Sequence, residues 1–141
     1  MSASMMVKLK KGKAKMPKGH DPYGDALGHI LKALDKVAKQ LKVTAPSEFE
    51  FEDPEFYKEF FGEDLKELPP KVARRIATQK EWHDAAAGVE TFSKLLEHYR
   101  KSGESADKVE PKVVIYELEA FKMVLEEAAK KKDSFRLMAL V

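Results

Sequence analysis

The end of the chain sets the tightest limit on its fold. Asp133 to Val141 reads DSFRLMALV, an apolar run with the alternation of a β-strand, placed directly after a long amphipathic helical pattern that stops in Lys130-Lys131-Lys132. A lone strand does not persist, because its N–H and C=O groups need a neighbour. The run must dock on strands elsewhere in the chain or on another chain, so Phe135 to Val141 is a candidate for self-association as well as for folding.

Two upstream segments alternate in the same way, Val7-Lys8-Leu9-Lys10 and Glu48-Phe49-Glu50-Phe51-Glu52. Paired with each other, they place Val7 and Leu9 on the face of Phe49 and Phe51 and set lysines against glutamates, contacts of about 0.2–1 kcal/mol each. Together with the C-terminal run they predict a small sheet of three strands.

The remainder reads as helix. Asp21-Pro22 offers a carboxylate at the N-cap and proline at the first helical position. From there Leu27, Ile30, Leu31, Leu34, Val37, Ala38 and Leu41 form one stripe at helical spacing, predicting a helix to about Lys42. Asp53-Pro54 repeats the cap ahead of a short aromatic helix with Phe56, Tyr57, Phe60 and Phe61, closed by Gly62. Pro69-Pro70 precedes another short helix on Val72, Ala73 and Ile76. Asp84 is placed to cap a helix from Ala85 to about Lys101, with Ala85, Val89, Phe92, Leu96 and Tyr99 inward, Leu95 at the edge and Gly103 at the end. Pro111 opens the last helix, to about Lys132, with Val114, Leu118, Phe121, Leu125 and Ala128 on one face. The short connection between these two helices predicts a helical hairpin.

The expected fold class is therefore mainly α (α+β): a helical bundle with a helical hairpin and a small sheet that includes the C-terminal strand. Residues 1–20 read as a flexible Lys-rich tail and 21–141 as a single α-rich domain. A chain of 141 residues buries enough surface to fold without a metal or disulfide staple. It contains no cysteine, which excludes disulfides, Cys-ligated zinc, Fe–S clusters and thiol catalysis, and fits a reducing compartment. No apolar run approaches the ~20 residues that span a bilayer, and none follows the basic N-terminus as a secretory signal would require. Cytoplasm is the expected location.

A formal charge of +2 hides a division along the chain. Residues 1–20 hold six lysines and no acid. Glu48 to Glu67 is the acidic pole, with nine carboxylates against Lys58 and Lys66, a net of −7. Lysines without arginine or interleaved aromatics read as a solubilising tail or as partner to that acidic segment; nucleic-acid binding through the tail is the weaker reading.

Candidate chemistry is sparse. His83-Asp84, with His29 upstream and Asp107 or Asp133 downstream, supplies the residue types of an HD-type metallohydrolase. Helix geometry opposes it, because His29 and His98 point roughly 145° and 130° away from the apolar stripes of their own helices. No G-x-S-x-G, nucleophilic triad or phosphate-binding loop is present. No catalytic, cofactor-binding or metal-ligating residues are assigned, and no cofactor is expected. Trp82 is the single tryptophan, a residue type enriched in binding hot spots and equally able to anchor a loop. Tyr116, Ala120 and Met123 lie opposite the inward stripe of the last helix, which predicts a helix sandwiched in the core or used by a partner. Sandwiching ranks first.

Trp82-His83-Asp84-Ala85-Ala86-Ala87-Gly88-Val89-Glu90-Thr91, leading through Leu95-Leu96-Glu97-His98-Tyr99-Arg100 and a second helix to Phe135-Arg136-Leu137, resembles the C-terminal half of small bacterial cytosolic proteins with a Trp-x-Asp…Gly, helix, helix, strand layout. That group has no assigned function, so the resemblance implies a bacterial cytosolic origin and no chemistry. The leading expectation is a non-enzymatic protein-interaction module, inhibitor-like or immunity-like, that presents its acidic middle segment to a basic protein partner, with Trp82, Tyr116, Met123, Glu48, Glu50 and Glu52 as candidate contact residues. A small metal-dependent hydrolase using His83 and Asp84 and a nucleic-acid-associated accessory protein using the Lys-rich tail are the alternatives.

Overall fold

A computed structural model describes residues 4–16, 24–62 and 67–140. The chain divides into two compact units, Met1–Glu50 with Trp82–Val141, and Phe51–Glu81.

In the larger unit the sheet comprises β1 (Ser4–Leu9), β2 (His83–Asp84) and β3 (Ser134–Leu140), in the order β1-β3-β2 and antiparallel throughout. The C-terminal strand is central. β1 runs along all of it, from Ser4 opposite Leu140 to Leu9 opposite Phe135, and β2 pairs with Phe135 and Ser134. The strand's need for neighbours is thus met inside the chain.

The predicted third strand is corrected. Pro46–Phe49 forms a short 3-10 helix, and Glu50 meets the sheet backbone through an isolated parallel bridge to Leu137. Proline at the start of that turn fixes φ and leaves no N–H for a ladder, so the alternation of Glu48 to Glu52 does not become a strand. Residues 4–9, read as part of a flexible tail, are ordered by β3 because Met5 and Val7 face inward and are buried.

The long N-terminal helix is two pieces, α1 (Asp25–His29) and α2 (Leu31–Gln40), joined at Ile30 with φ −101° and ψ 17°. Gly28 weakens the chain just before the break. The Asp21-Pro22 cap lies outside the described residues. What holds the start of α1 is long-range: Gly24 exchanges two backbone hydrogen bonds with Met5, at 2.6 and 3.1 Å. The Glu117 carboxylate accepts from the N–H groups of Ala26 and Leu27 at 3.2 and 3.0 Å, and the Ser4 hydroxyl donates to Asp25. A side chain at Gly24 would stand 2.9 Å from the Phe121 ring.

The hairpin of α5 (Ala85–Ser102) and α6 (Pro111–Lys130) forms as the spacing predicts. Val114, Leu118, Phe121, Leu125 and Ala128 are all buried, against Phe92, Leu95, Leu96 and Tyr99. Asp84 does not cap α5 with its side chain. It is consumed as a strand residue opposite Ser134, while the Ala85 N–H donates to the Asp133 carbonyl at 3.3 Å.

The smaller unit contains α3 (Pro54–Phe61) and α4 (Pro70–Thr78). Asp53 caps α3 by accepting from the Glu55 N–H at 3.0 Å, the cap chemistry that Asp53-Pro54 predicts. Gln79 clasps Glu52, donating to its carbonyl at 2.7 Å and accepting from its N–H at 2.8 Å.

Candidate functional site

The side chains singled out for chemistry do not converge. His29 is exposed at the end of α1. His98 on α5 has its Nε2 3.0 Å from the Glu104 carboxylate. His83 faces inward from β2, edge-on to Phe49 at 5.2 Å and 6.3 Å from Phe135. Among the described residues no group of three or more His, Asp or Glu side chains is placed to hold a metal ion. The half-buried imidazole of His83 packs as an aromatic ring against the core side chains Phe49 and Phe135.

The acidic segment is divided by the fold. Glu48 is exposed and Glu50 half-buried at the sheet, both in the larger unit, whereas Glu52 belongs to the smaller one. The Glu52 carboxylate accepts the Tyr57 hydroxyl at 2.6 Å. Burial, followed by that hydrogen bond and the carboxylate's charge, pushes the Tyr57 phenol up to about 12. Asp53 is engaged as a helix cap and Glu55 pairs with Lys58 at 3.1 Å. Several of the carboxylates that made a −7 pole in sequence therefore serve local structure.

Trp82 is half-buried and carries the Arg136 guanidinium 4.5 Å over its ring. Cation–π stacking of this kind contributes about 0.5–1 kcal/mol at a partly exposed site. Trp82 thus fastens the entry to β2 onto the outer face of β3, an anchoring role.

The remaining candidates lie on α6. Helical spacing sends one face of α6 into the core and brings Tyr116 and Met123 out roughly opposite. Ala120 is buried, but Tyr116 is 46% and Met123 52% exposed, with Val113 at 37% beside them. The sandwiched arrangement ranked first from sequence does not hold for these side chains. α5 packs on the opposite side of α6 through Phe92 and Phe121, 5.8 Å apart, and Arg100 and Glu119 close its flank at 2.9 Å.

Sequence reasoning missed Glu117 and treated Asp133 only as a distant metal ligand. Asp133 is 6% exposed and accepts three backbone hydrogen bonds, from Lys11 and Gly12 at 3.0 Å each and from Ser134 at 2.8 Å. Burial works against its charge, but those donors and the nearby Lys11 outweigh it and hold the carboxyl below the usual aspartate range. Its position between a lysine run and a strand was visible in the sequence. Its partners Lys11 and Gly12, some 120 residues away, were not.

No family model, curated protein or solved structure matches this chain.

Proposed function

We propose that this protein is a non-enzymatic protein-interaction module of the bacterial cytoplasm whose contact surface is the outer face of α6. The observation that carries this reading is the exposure of Tyr116 and Met123 on a helix whose other face is fully committed to the core. Large apolar side chains held on a rigid helix lose little entropy on binding, and covering the pair contributes roughly 3–5 kcal/mol. An inhibitor-like or immunity-like protein works by such occlusion and needs no reacting groups. Supporting features are the dispersal of His29, His83 and His98 and the structural employment of Asp133, Glu117 and Glu52. Among the described residues no helix is long and apolar enough to cross a membrane.

Affinity capture from an extract of the source cells, with wild type and Met123→Lys side by side, tests the proposal. A protein retained by wild type through ~0.5 M salt and absent from the variant is the expected result, since an apolar contact resists screening. Capture that disappears at that salt, or that the variant retains in full, would move the contact away from α6 and toward the carboxylates.

A further inference from the structure

Folding brings two lysine runs together that lie more than a hundred residues apart in sequence. The segment after β1 carries Lys10, Lys11, Lys13 and Lys15, and the end of α6 carries Lys130, Lys131 and Lys132. The clasp between them is Asp133, whose carboxylate takes the N–H groups of Lys11 and Gly12, while the Lys10 N–H donates to the Ser134 carbonyl at 2.9 Å. Because the clasp uses backbone atoms, the lysine side chains are left at the surface. Lys13, Lys15 and Lys131 rim one concavity of about 320 Å³ with Leu9, Val124 and Ala128 also in its wall. All seven lysines are exposed, and the Lys130 ammonium lies 3.9 Å from the Glu127 carboxylate.

We infer that this composite basic surface binds the phosphate backbone of single-stranded nucleic acid without reading its sequence. The charge is concentrated and built on ordered backbone, which distinguishes it from a loose lysine tail. Glu127 and the buried Asp133 are the carboxylates at the concavity, and they leave an excess of positive charge. The chain bends over residues 10–12 as it leaves β1, which sets Lys13 and Lys15 across the concavity with Lys131 and presents three cations along one surface. Among the described residues this surface has no exposed aromatic ring for stacking on bases, so the contacts it offers are to phosphates, which carry no sequence information. An anionic membrane is the poorer fit. Peripheral anchoring needs an apolar element beside the charge, and Leu9, Ala14 and Met16 are packed against the core. The inference is independent of the α6 face.

Fluorescence anisotropy of the full chain with a labelled 20-nucleotide oligo-dT provides the test. For about five phosphates neutralised, the slope of log K against log salt is about −3.5, a loss of roughly 100-fold between 50 and 200 mM salt. Lys13→Gln/Lys15→Gln/Lys131→Gln should weaken binding at 50 mM salt by tenfold or more with unchanged circular dichroism. Lys32→Gln/Lys36→Gln/Lys39→Gln, the same charge removed from exposed positions of α2, should change it less than threefold. No binding by wild type at 50 mM salt, or equal losses in the two triple variants, would overturn the inference. So would tighter, equally Lys13-, Lys15- and Lys131-dependent binding to phosphatidylserine-containing vesicles, which would make the surface a membrane contact.

Discussion

Phe135 rests directly on the backbone of Gly88: a Cβ built at Gly88 would stand 2.6 Å from Cζ of the Phe135 ring and 2.9 Å from Cδ1 of Leu125. Glycine inside a helix costs about 1 kcal/mol relative to alanine. Here it is the condition for the central strand to seat on α5.

Gly88→Ala should therefore destabilise the protein by about 1–3 kcal/mol despite the gain in helix propensity, because Phe135 and Leu125 lie in a filled core. Thermal melting of Gly88→Ala alone and combined with Phe135→Leu checks this. The double variant should recover part of the loss relative to Phe135→Leu, an interaction that additive effects would not produce.

Asp133 predicts a pH dependence. Its folded carboxyl holds a proton less readily than the usual value of 3.8, so its stabilisation is complete well above that value and drains away as pH falls through and below it. Asp133→Asn keeps an acceptor but loses the charge and points an amide donor at backbone N–H groups. At pH 7 it should cost roughly 2 kcal/mol in urea unfolding. The gap from wild type should narrow progressively below about pH 4, where wild type loses the charge as well.

The helix order and the hairpin were legible because they depend on local chemistry: Asp53-Pro54, Pro111 and the stripe from Val114 to Ala128 announce themselves within one turn or one face. The strand that begins at Ser134 was legible for the same reason. Its partners were not, since alternation in Glu48 to Glu52 looks the same whether or not a proline-started turn intervenes, and two-residue strands such as His83-Asp84 have no period. Contacts that join distant segments were the least visible. Nothing adjacent to Glu117 indicates that it caps α1, or that Asp133 draws Lys11 beside Lys131. Tyr116 and Met123 were legible as a second apolar face, but only packing decides whether such a face is covered.

Glu117 acts at a distance along the chain, holding the first N–H groups of α1 from α6. Glu117→Ala should cost about 1–2 kcal/mol, the magnitude of a lost helix cap. Hydrogen exchange should localise the effect, with faster exchange at Ala26, Leu27 and, through the Gly24 bridge, Met5, and little change within α5. Uniform loosening across the hairpin would contradict this assignment.

The claim on which the functional account rests is that the outer face of α6 is covered by another protein in the cell. A photo-crosslinking amino acid placed at Tyr116, and in a parallel strain at exposed Lys36 on α2, tests it within the source organism. The account predicts a discrete protein adduct from position 116 that is missing from position 36 and abolished by Met123→Lys. Absence of an adduct at 116, or the same adducts from both positions, would contradict it.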